Sequence, residues 1–172
     1  QPYNQRPGLG FPLARIGAIT SLATGAIIDL GFSRYAGKGQ GEVTLLRRLS
    51  HVFSAGDVLL ADCLIGNWRC LYELQQGGVD MVTRLNKALR KADFRKGRRL
   101  GKDDHLVRWP KPHIREVGRK AQLAMPRYLT VREVRVSIKQ PGFRTKVMVI
   151  VTTLLDPVRY PKQDLADLYR QR

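Results

Sequence analysis

The stretch that decides the fold is Asp57-Val58-Leu59-Leu60-Ala61-Asp62, four apolar residues between two acids. A run this short and this apolar reads as a strand buried on both faces, in the middle of a sheet. Working outward, Gly56 ends a helix that begins near Glu42. Its apolar positions Val43, Leu45, Leu46, Leu49, Val52 and Phe53 fit a helical period better than an alternating one. Beyond the strand, Gly66 to Gln76 reads as a second helix with Trp68, Leu71, Tyr72 and Leu74 inward, stopped by Gly77-Gly78. Val79–Leu85 reads as another strand. Upstream, two apolar runs, 13–22 and 24–32, meet at Thr24-Gly25 and read as a β-hairpin. The order hairpin, helix, strand, helix, strand is an α/β layering. One mixed sheet over residues 13–85, with helices against it, is the expectation.

The charge narrows the partners. The 172 residues carry 31 Lys and Arg against 14 Asp and Glu, a net +17, with a pI near 10.7. Such a surface attracts polyanions. A membrane is set aside, because the apolar runs at 18–30 and 147–155 are short and interrupted by polar residues. The two cysteines, Cys63 and Cys70, make neither a disulfide framework nor a zinc pattern, and read as buried thiols of a reducing bacterial cytosol. His51, His105 and His113 are scattered and form no metal pattern.

Between Arg84 and Lys120 the composition changes. Fourteen Lys and Arg face four Asp and Glu, a local balance of +10, and helical periodicity is missing. A run this dense favours phosphate contacts over a plain solvated surface. Arg95, Lys96, Arg98, Arg99 and Lys102 are its centre. Asp103-Asp104 read as a solvated turn. Residues 128–138 alternate apolar with charged, the pattern of a strand solvated on one face, and residues 145–155 pair with it across Gln140-Pro141-Gly142-Phe143. A helix starts near Gln163.

Asp62 is the leading chemical candidate. It closes a strand, and α/β sheets hold ligands at the carboxyl ends of their strands. On spacing alone, however, a role as cap of the following helix stands ahead of a role as metal ligand. Arg84 ends the next strand, and either faces the same cleft or is a plain strand-end charge.

Several long phrases, in order, resemble one family: KGQGE at 38–42, GDVLLAD at 56–62, DFRKGRRLGKDDHLVRWPKP at 93–112, LTVREVRV at 129–136, and the terminal VTTLLDPVRYPKQDLADLYRQR at 151–172. Together they resemble the DDE transposases of the insertion-sequence-four group, bacterial enzymes that cut and join DNA. Tyr169 and Arg172 match the first two positions of that family's Tyr-x-x-Arg-x-x-x-Glu signature.

The resemblance implies a ribonuclease-H-like core over 1–85 with its first strand missing, a basic β-rich insertion over 86–147, and a return to the core over 148–172. It implies that Asp62 is the second catalytic carboxylate and a ligand of Mg²⁺, for which Mn²⁺ can substitute. The first Asp and the Glu are expected beyond the two ends, which read as cut. A single carboxylate then leaves this piece alone inactive. Cys63 departs from the Arg that often follows the family's second Asp, which puts local DNA contacts in doubt. Core packing is the commoner role of an isolated Trp, but the resemblance makes Trp109 a candidate for stacking on DNA, and implies Tyr169 and Arg172 as DNA contacts.

Expected partners are double-stranded DNA, as transposon ends and target, with no membrane; homodimerisation is an option for the complete protein. The expected place is the bacterial cytoplasm, at the nucleoid. A non-catalytic DNA-binding fragment or decayed element is the alternative. A ribosomal-type RNA-binding protein accounts for the charge but not for a strand ending in Asp62.

Overall fold

The computed structural model describes residues 13–137 and 147–171, and falls into two compact units, Gln1–Phe53 and Ser54–Arg172. The expected turn at 140–143 lies outside the described residues.

In the first unit, β1 (Ala14–Thr20) and β2 (Ile27–Arg34) form an antiparallel hairpin, followed by α1 (Glu42–Leu49) and a short 3-10 turn (Ser50–Val52). Gly17 and Gly31 are directly paired across the hairpin. A Cβ on either would come within 2.8 or 2.9 Å of a Leu45 methyl. The bare backbone at this pair is what lets Leu45 and Leu49 of α1 lie down on the hairpin.

The second unit is built on one sheet: β3 (Val58–Ala61), β4 (Asp80–Arg84), β5 (Arg98–Gly101), β6 (Asp104–Pro110), β7 (Tyr128–Ser137) and β8 (Val147–Thr152), in the spatial order β3-β4-β8-β7-β6-β5. Among the described residues only β3 and β4 pair in parallel; the other neighbours in this sheet are antiparallel. The helices are α2 (Trp68–Gln76), α3 (Arg119–Ala124) and α4 (Lys162–Arg170).

Two expectations are corrected. Among the described residues β3 is an edge strand rather than a central one, and Val58 is exposed. Among the described residues β1 and β2 form a two-stranded sheet of their own, and β3 and β4 share theirs with β5–β8. Apolar side chains report what covers a strand's faces. Its edges are backbone N–H and C=O groups, whose pairing no side-chain pattern encodes.

Successive strand residues point to opposite faces. On one face Val82, Ile150, Val134, Val136 and Met148 pack with Leu165 and Ala166 of α4. On the other, Trp68 at the start of α2 donates its indole N–H to the Trp109 carbonyl at 3.1 Å.

The alternation of β7 does not make a solvated face. Arg132 and Glu133 are both buried, one on each side of the sheet. Arg132 forks onto both carboxylate oxygens of Asp104 at 2.8 and 2.6 Å and also donates to the Tyr160 carbonyl at 2.7 Å. Asp104 is therefore not a solvated turn residue. Glu133 accepts from the Trp109 indole at 2.8 Å and meets His105 Nε2 at 3.0 Å. His105 Nδ1 faces the Lys96 carbonyl at 2.6 Å, which can only accept, so this nitrogen carries a proton. Buried charges persist because every one is paired and hydrogen-bonded.

Candidate functional site

Ala61 and Thr83 are register partners at the ends of the parallel pair β3–β4. The next residues, Asp62 and Arg84, therefore emerge side by side on the face that α4 covers. The chain behind Asp62 is fixed. Its carbonyl accepts from Thr83 Oγ1 at 3.0 Å, from the Ile65 N–H at 3.0 Å and from the Gly66 N–H at 3.3 Å. Gly66 lies against Thr83 so closely that a Cβ would stand 2.6 Å from Thr83 Cγ2.

The capping role for Asp62 is not what is found. The cap of α2 is Asn67, whose side chain accepts from the Cys70 N–H at 3.0 Å. The Asp62 carboxylate instead accepts from the Cys63 N–H and stands 3.9 Å from Arg84 Nη2. The two side chains remain 43% and 39% exposed, open enough to meet a solute. Arg84 Nη2 also donates to Cys63 Sγ at 3.6 Å. That contact raises the Arg84 pKa; desolvation opposes it, and the charges of Cys63, Tyr169 and Asp62 add to it. Tyr169, on the last turn of α4, is partly buried against the core. Cys70 is buried; Cys63, read as buried, is only partly so and is the neighbour of Arg84.

Asp62, Arg84 and Tyr169 thus gather at one place, while Arg172 lies outside the described residues. The basic run is elsewhere. Arg98 and Arg99 lie on β5 and Lys102 follows it, at the sheet edge opposite β3. Five strand spacings separate the two edges, roughly 24 Å. Arg95 and Lys96 are occupied by Asp93, at 2.9 and 3.7 Å. The bond from Arg95 lowers the Asp93 pKa to about 2.

Trp109 needs correction as a stacking residue. Its ring is buried, its N–H is spent on Glu133, and the Arg90 guanidinium lies 4.7 Å from the ring centroid. Core packing claims the ring. Sequence reasoning also missed the Cys63–Arg84 contact, for which a thiol next to Asp62 was the only available signal.

A divalent ion does not fit the described residues by themselves. No group of three His, Cys, Asp or Glu gathers among them, and Asp62 is the carboxylate beside Arg84. No described helix is long and apolar enough to cross a membrane.

Neither the curated proteins nor the solved structures contain a significant match to this chain. A family model does, over residues 2–172, and its description is the transposase DDE domain. With nearly the whole sequence matched, the chain belongs to the transposase DDE domain family.

Proposed function

We propose that this protein is a DNA transposase of the insertion-sequence-four type, with Asp62 as one of the carboxylates that hold the metal for strand cleavage and transfer. The observation that carries the reading is the convergence of Asp62, Arg84 and Tyr169 at the ends of β3, β4 and α4. A half-exposed carboxylate is a hard-oxygen ligand, and a guanidinium beside it suits a phosphate. One carboxylate does not make a magnesium site, so the reading requires further carboxylates beside Asp62.

The domain reading is that 1–85 and 148–172 belong to a ribonuclease-H-like core interrupted by 86–147. In support, β8 returns to pair with β4, and α4 carries Tyr169 back to Arg84. The substrate in this reading is double-stranded DNA at element ends and target.

The test uses protein expressed from the whole open reading frame in which this sequence lies. Asp62→Asn keeps the shape and removes the charge. Strand transfer with Mg²⁺ or Mn²⁺ is expected to fall at least about 100-fold, while gel-shift affinity for the same duplex stays within about threefold. Near wild-type cleavage by Asp62→Asn would overturn the assignment.

A further inference from the structure

The part of the sheet that α4 leaves uncovered has a chemistry of its own. On the α4 side, cover ends at the row Leu106–Arg132, where Arg132 is roofed by the carbonyls of Asp156 and Tyr160. Beyond that row, on the same face, Arg108 is paired with Thr130 and Pro110 with Tyr128. All four are exposed. Arg98 of β5 is paired with Leu106, shares this face and is exposed as well.

The contents of this surface are selective. Arg108 lies over the Tyr128 ring, 4.6 Å from its centroid, a diagonal contact across β6 and β7. Stacking restrains the guanidinium without using its N–H groups. Neither Arg98 nor Arg108 has a carboxylate partner among the described residues, in contrast to Arg95 and Lys96. The acid at the border, Asp156, spends its carboxylate on the N–H groups of Val158 and Arg159.

We propose that this exposed face, centred on Arg98, Arg108 and Tyr128, is a surface that holds duplex DNA through its phosphates, separate from Asp62. The proposal rests on the DNA-directed reading given above. Charge complementarity names the occupant, because two unpaired arginines are displayed within a segment of balance +10. Register supplies the separation. Asp62 is level with Arg84, Ile150, Val134 and Asp104 across the sheet. Arg108 is four strands over and four residues along, roughly 23 Å away, or about seven base pairs of duplex. Between the two, α4 turns Asp164 and Asp167 outward, Asp167 being paired with Arg170 at 2.6 Å.

The test is fluorescence anisotropy of the whole chain with a labelled duplex of random sequence, titrated at several salt concentrations. Each of Arg98→Gln and Arg108→Gln is expected to weaken low-salt binding several-fold and to lower the salt slope by about one. Arg108→Lys keeps the charge and is expected to retain most of the affinity. Arg95→Gln, already neutralised by Asp93, is expected to change binding less than twofold. Wild-type affinity and slope in both Gln variants, with circular dichroism unchanged, overturns the proposal while leaving the DNA reading standing. A loss seen with single strands but not with duplex also overturns it. If the wild-type chain binds no duplex at low salt, the DNA reading and this proposal fall together.

Discussion

Arg84 Nη2 stands 3.9 Å from Asp62 Oδ1, at the ends of two strands that run parallel and finish level. The pair is half-exposed, so solvent screens it and its contribution to stability is small. Its value is positional: a carboxylate and a guanidinium open to the same solute.

Arg84→Gln is therefore expected to separate function from folding. Stability by urea denaturation should change by less than about 1 kcal/mol. In the complete protein, engagement of the DNA end should weaken more than tenfold, read as apparent affinity in a cleavage assay. A loss of several kcal/mol with DNA engagement intact would make Arg84 a structural residue instead.

The Arg132–Asp104 pair behaves in the opposite way. Both groups are buried and doubly bonded. Removing one partner strands the other, so Arg132→Met should cost about 3–5 kcal/mol. The double variant Arg132→Met/Asp104→Leu should recover much of that, because two apolar groups leave no orphaned charge. Denaturation midpoints of the two singles and the double measure the coupling. Equal losses in single and double variants would contradict it.

Trp109→Phe tests the corrected role of this tryptophan. The variant removes the indole N–H that Glu133 accepts and part of a buried ring. A loss of roughly 1–3 kcal/mol is expected, since a buried acceptor is left short of a donor. Duplex affinity of the folded fraction should stay within twofold of wild type. An affinity loss without a stability loss would restore the stacking role.

Asp93 restrains two of the cations read from the sequence as DNA contacts. Asp93→Asn frees Arg95 and Lys96 and deletes a negative charge, so low-salt duplex affinity should rise several-fold, with a steeper salt slope. The sign with pH follows from a folded pKa depressed from 3.8 to about 2. The Asp93–Arg95 contact contributes fully above the ordinary value and is lost as pH falls through about 2. Wild type should therefore keep its weaker affinity at every pH above about 4. An affinity for Asp93→Asn equal to wild type would show that Arg95 and Lys96 stand outside the contact.

Local pattern alone determined much of this protein. Leu45 and Leu49 at helical spacing announced α1, the Val58–Ala61 run announced a strand, and Gly77-Gly78 marked the end of α2, because period and turn chemistry are properties of neighbouring residues. Their places at strand ends singled out Asp62 and Arg84, and the family's signature singled out Tyr169, one by one. Their meeting is tertiary: it depends on β3 and β4 finishing level and on α4 returning over β4. The same holds for burial. Arg132 and Glu133 look solvated in an alternating strand, and Trp109 looks available in a basic run. Each is interior because partners far along the chain, Asp104, His105 and Tyr160 among them, satisfy its polar groups. The division of the basic run into paired cations at Asp93 and unpaired ones at Arg98 and Arg108 was likewise decided in space. Charge adds along a sequence, but whether a charge remains available depends on which groups the fold sets beside it.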